Sequence, residues 1–218
     1  MLSVNKSKSI YLIWFGIFLV WIFYRVTFKF PEWVDELIVK PLVFVGPVIW
    51  FVKTREKRGP ESLGFSRKNL FSDLYIGVGI GLLFAIEGFL ANFIKYGNFS
   101  FVPINALTSV GLIPFLVLSL VTAISEETLG RGFLYNRLFE EGRNQFGAAI
   151  ISSVLFLLLH VPILFVQLNL TGGSLVVYLI SVFLLGVTNC YLFTFRGNRL
   201  TVPILVHLFW NATVALYL

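Results

Sequence analysis

Two adjacent glutamates, Glu126 and Glu127, close an apolar run, "LIPFLVLSLVTAI", that otherwise suits a bilayer interior. An ionised carboxylate at that depth costs about 2.5–3.5 kcal/mol on insertion scales, so two side by side require partners or a use. Glu127 and Arg131 stand four apart with the acid first, the favourable order for a pair on one helix face. Glu126 points about 100° away around the helix, beside Gly130, and is expected to face a gap. The chain has two histidines, and both fall in apolar runs: His160 in "FLLLHVPILFV", with Phe156 four residues earlier, and His207 in "HLFWNATVALYL", with Asn211 four residues later. Carboxylates, imidazoles and amides are groups that move protons, hold water and stabilise developing charge.

These residues sit at compatible depths. The polar turn "EEGRNQ" is centred near Arg143, with Glu126 17 residues before it and His160 17 after. Antiparallel neighbours at about 1.5 Å rise per residue bring the two to the same level. Phe156 would cover that face and keep it dry. His207 begins about 12 Å in from Arg199, and Asn211 shares its face. One such group alone reads as an interhelical hydrogen bond. Recurrence at one depth on three helices points to use. Glu87 is a further acid inside an apolar run; it either lines the same cavity or pairs with Arg25 or Lys95, and a structural role is expected.

The elements that must position these groups follow from composition. The chain is 57% hydrophobic and only 13% charged, with mean hydropathy +0.87 and 24 phenylalanines among 218 residues. Soluble domains run near 25% charged, so the fold class is all-α, a polytopic transmembrane helical bundle of seven to eight helices in a single membrane domain. Candidate spans are 10–28, 37–53, 74–94, 107–130, 146–167, 175–195 and 200–218. The second is the weakest, since it carries Lys40, Pro41 and Pro47. The first has a basic flank but no cleavage site, and is expected to be a retained helix.

Charge sets the expected orientation. With the N-terminus cytoplasmic, 13 of the 17 Lys and Arg residues fall on the inner side, and Arg25, Lys29, Lys40 and Lys95 on the outer. The linker "KTREKRGPESLGFSRKNLFSD" is expected to lie on anionic lipid headgroups. The net charge of +6 is explained by these short loops, and no nucleic-acid partner is expected. A single cysteine, Cys190, excludes an internal disulfide and a cysteine metal cluster.

Three spacings occur in order on successive helices: "EETLGR", "FLLLH" and "HLFWN". Together with "RGFLYNRL" and "GNRLTVPILVH", they resemble the CPBP family (CAAX proteases and bacteriocin processing, also called Abi), which includes the type II CAAX prenyl endopeptidase. The resemblance covers about residues 60–218, the expected core, and leaves 1–59 as peripheral N-terminal spans. It implies an intramembrane glutamic endopeptidase acting on a membrane-anchored peptide or protein, in a multi-pass protein of a prokaryotic plasma membrane. By matching position, Glu126 is the general base and His160 orients the water. His207 and Asn211 form the oxyanion-stabilising pair, with Glu127, Arg131 and Phe156 in support. No cofactor is expected. Zinc is the competing reading, because two histidines and a carboxylate also make a hydrolase ligand set. Against it, an H-E-x-x-H helix is absent and Asn is a poor zinc ligand. Two other functions compete: bacteriocin self-immunity or peptide binding without cleavage, and proton-coupled transport, which lacks the inverted repeats transporters often carry.

Overall fold

The computed structural model describes residues 6–98, 111–168 and 171–214, and among them it contains helices and no strand. Seven helices follow one another: α1 (Lys6–Thr27), α2 (Glu32–Glu56), α3 (Leu70–Tyr96), α4 (Leu112–Glu140), α5 (Gln145–Ile163), α6 (Gly172–Phe195) and α7 (Thr201–Val214). The first six are long and apolar enough to cross a membrane, and α7 is a shorter apolar helix within the described residues. The chain is a multi-pass integral membrane protein. The expected spans fall on these helices, but the second begins earlier, at Glu32, and the fourth runs on to Glu140 rather than ending at 130; 107–110 and 215–218 lie outside the described residues.

Two helices depart from regular winding where the site is built. In α2 the turns Asp35–Val39 and Pro41–Val45 are wide π turns, and Pro41 withholds the N–H that a regular helix would use. In α4 the π turns run over Thr128–Tyr135, directly after the paired glutamates, and every residue of that stretch is buried. Such bulges inside helices are frequent at functional sites.

Packing divides the bundle into linked cores. Trp14, Trp21, Phe44, Val48, Leu129 and Phe133 join α1, α2 and α4, while Phe156, Val182, Val206 and Trp210 join α5, α6 and α7. The indole of Trp21 donates to the Leu159 carbonyl at 3.2 Å, which ties α1 to α5 beside His160. Helices α3 and α7 meet along a glycine face. A Cβ at Gly81 would come within 2.3 Å of Phe209, and one at Gly77 within 2.6 Å of Leu205. Only glycine lets these backbones approach so closely.

The ends are fastened by ion pairs. Asp73 at the start of α3 is fully buried between Arg196 (2.6 Å) and Arg199 (2.7 Å) of the α6–α7 turn. That carboxylate raises the Arg199 guanidinium above its ordinary value. The linker after α2 is anchored rather than loose. Leu63 is buried, Arg137 of α4 bonds both Glu56 (2.8 Å) and the Ser62 carbonyl (3.0 Å), and Arg58 pairs with Glu140 at 2.7 Å.

Candidate active site

Of the residues singled out by type and spacing, Glu126, Glu127, Arg131, Phe156, His160 and His207 come together in one buried cluster. Glu127 is fully buried and its Oε1 accepts from three sides: Arg131 Nη1 (3.0 Å), Asn189 Nδ2 (3.0 Å) and His207 Nδ1 (2.7 Å). The expected Glu127–Arg131 pair is therefore present, and it is the hub of a larger cluster. Phe156 lies against this hub. Its ring is 4.4 Å from the Arg131 guanidinium, 4.6 Å from the His160 ring and 6.0 Å from the His207 ring.

The hydrogen bonds place a proton on Nδ1 of each imidazole. His160 Nδ1 lies 3.0 Å from the Phe156 carbonyl oxygen, which only accepts, so Nδ1 carries the proton. His207 Nδ1 donates in the same way to the Glu127 carboxylate. Each Nε2 is left free of these bonds. Both point at one atom, Glu126 Oε2, at 3.5 Å from His160 and 3.6 Å from His207. Glu126 Oε2 is itself buried and accepts no hydrogen bond from the protein. One carboxylate oxygen and two ring nitrogens thus converge on one point, and a water there can donate to two of them. The meeting of Glu126 and His160 across the α4–α5 hairpin is as the depth argument expects.

The other Glu126 oxygen corrects an expectation. The gap foreseen beside Gly130 is not where Glu126 is directed, because Lys40 Nζ lies 2.9 Å from Glu126 Oε1 and 2.6 Å from Glu36 Oε2. Counting charges in loops assigned Lys40 to the outer side, yet its side chain is buried in the bundle, with Nζ 5.9 Å from the Trp21 ring. The carboxylates that hold it, 4 residues along α2 and across on α4, outweigh its tendency to reach the interface. Helix α2, counted among the peripheral spans, supplies this residue to the cluster.

Asn211 sits one turn beyond His207 on α7 and donates to the Ser119 carbonyl of α4 at 3.4 Å. Glu87 lies on α3, but its side chain is outside the described residues. Sequence reasoning missed Lys40 and Asn189. For Lys40 the signal was its i,i+4 partner Glu36 inside an apolar run. For Asn189 it was a lone amide in the span "LLGVTNCYLF". Among the described residues, no group of three or more His, Cys, Asp or Glu side chains has metal-holding geometry.

Residues 108–213, just under half of the chain, match the family described as type II CAAX prenyl endopeptidase Rce1-like. This segment is a CAAX-protease-family domain. It begins just before α4 and ends within α7, so it takes in Glu126, Glu127, Arg131, Phe156, His160, Asn189, His207 and Asn211. Lys40 and Glu36 lie outside the CAAX-family segment. Comparison with curated proteins and with solved structures finds no match.

Proposed function

We propose that this protein is an intramembrane endopeptidase in which Glu126 activates water against a peptide bond of a membrane-anchored substrate. One observation carries the reading: Glu126 Oε2, buried and without a protein hydrogen bond, faces the Nε2 atoms of His160 and His207 at 3.5 and 3.6 Å. A water placed there donates one proton to the carboxylate and the other to His160 Nε2, which turns its lone pair outward. In the attack the water O–H bond breaks, its proton passes to Glu126, and the new C–O bond forms at the scissile carbonyl. The oxyanion meets Asn211 and His207. His207 donates there from Nε2, a proton it carries from the start of the cycle and keeps, while Glu127 holds its Nδ1. Such a donor contributes about 2.7–4 kcal/mol. Collapse breaks the C–N bond, and Glu126 returns its proton to the leaving amine. Arg131 holds Glu127 in an ion pair and Phe156 excludes bulk water.

The reaction is read as metal-free. A divalent ion at the imidazoles would stand beside the Lys40 ammonium, which already engages the same carboxylate. Lipid-anchored or bacteriocin-type precursors of a prokaryotic membrane are the substrates this reading favours, and the charge bias of the loops supports a cytoplasmic N-terminus. Binding or self-immunity without cleavage has one observation in its favour: Lys40 neutralises Glu126.

One experiment separates these readings. The purified protein in proteoliposomes is given quenched fluorescent peptides carrying a farnesyl or palmitoyl anchor, with and without EDTA. Cleavage should fall about 10²–10⁴-fold in Glu126→Gln and persist in EDTA. Absence of cleavage across the panel would favour the binding role. Activity lost to EDTA and restored by zinc would establish the metal reading.

A further inference from the structure

We propose that Lys40 is a positioning residue of this site: Glu36 holds its ammonium, and the ammonium fixes the Glu126 carboxylate with one oxygen turned to the imidazoles. The inference rests on Glu126 acting as the base. Its ground is a closed network between two helices. On α2, Glu36 and Lys40 are four apart; on α4, Thr122 and Glu126 are four apart. The Thr122 hydroxyl donates to Glu36 Oε2, the same oxygen takes Lys40 Nζ at 2.6 Å, and Nζ reaches Glu126 Oε1 at 2.9 Å.

The two oxygens of Glu126 are thereby given different work. Oε1 is bound to the ammonium, and Oε2 is left for water between the rings. A carboxylate swings freely about its terminal torsion unless something holds it. Glu36 has a second effect, since it shares the ammonium and leaves Glu126 able to accept a proton. A purely structural role for the bridge explains less. Buried ion pairs seldom add net stability over apolar neighbours, and an apolar pair would join α2 to α4 as well.

The test uses the full chain in proteoliposomes with the farnesylated quenched peptide. Lys40→Ala should lower kcat by about 10²-fold, the effect of misplacing a reacting group, while KM stays within about threefold. Methylammonium should restore kcat saturably, tetramethylammonium should not, and Lys40→Arg should retain part of the rate. A readout that needs no turnover accompanies these. The infrared carboxylate band removed by Glu126→Gln should shift in Lys40→Ala and return with methylammonium. A kcat for Lys40→Ala within about threefold of the parent overturns the proposal, as does a loss that neither methylammonium nor Lys40→Arg repairs. If the parent cleaves nothing, the reading of Glu126 as base fails, and the infrared band alone decides whether Lys40 orients it: a fixed band overturns that too.

Discussion

Glu127 offers the sharpest test of how the cluster is held, because one oxygen serves three donors. Glu127→Ala removes the acceptors of Arg131, Asn189 and His207 together, and Arg131 is 1% exposed, so water cannot replace them. Leaving one member of a buried ion pair unpaired costs about 3–5 kcal/mol. For a chain of this size each kcal/mol moves the unfolding midpoint by about 2–4 °C, so a fall of about 6–20 °C is expected. The companion variant Glu127→Leu/Arg131→Met replaces both charges with apolar groups of similar bulk, which is often neutral or stabilising. It should recover most of the lost stability. It should not recover cleavage, because His207 loses the acceptor that fixes its Nδ1 proton. The assay is the unfolding of the detergent-solubilised protein followed by the fluorescence of its 5 tryptophans, with peptide cleavage measured in parallel. A midpoint unchanged in Glu127→Ala, or a double variant no more stable than the single one, would refute the reasoning.

Two further outcomes follow from particular contacts. Asn189→Ala removes one charge-assisted hydrogen bond to Glu127 and one bond to the Pro203 carbonyl, so it should cost about 1–3 kcal/mol and lower kcat with little effect on KM, measured by unfolding and by cleavage. Gly81→Leu drives a side chain into the ring of Phe209, 2.3 Å from the first added carbon, and should part α3 from α7. The expected result is loss of folded protein on size-exclusion chromatography, while Gly79→Leu, with open space around its Cβ, behaves as the parent.

Much of the site was legible because helix geometry is regular. The i,i+4 spacing of Glu127 and Arg131 and the equal distances of Glu126 and His160 from the α4–α5 turn were enough to place these groups together. Lys40 escaped for a physical reason. Residue spacing fixes depth along one helix and its immediate hairpin partner, but not which distant helix lies alongside. That α2 packs on α4 depends on the wide turns around Pro41 and on the Trp21–Phe44 contact with α1, and neither can be read from periodicity. Counting charges near span ends then assigned Lys40 by default to a loop. The division of labour between the two Glu126 oxygens was equally hidden, since a sequence gives residues and not lone pairs.

The glycine face between α3 and α7 constrains more than stability. From Gly77 to Gly88 the side chains of Leu205, Phe209 and Thr213 fill the space a Cβ would take, at 2.3–2.6 Å, so the two helices leave no gap between them. At the cluster, by contrast, His160 and Glu36 keep 13% and 16% of their side chains open, against 6% for Glu126 and 1% for His207. The seam where α2 and α5 border α4 is thus the more open side of the cluster. The Lys40–Glu126 pair stands in it, so the contact that joins α2 to α4 also sets how Glu126 meets the imidazoles.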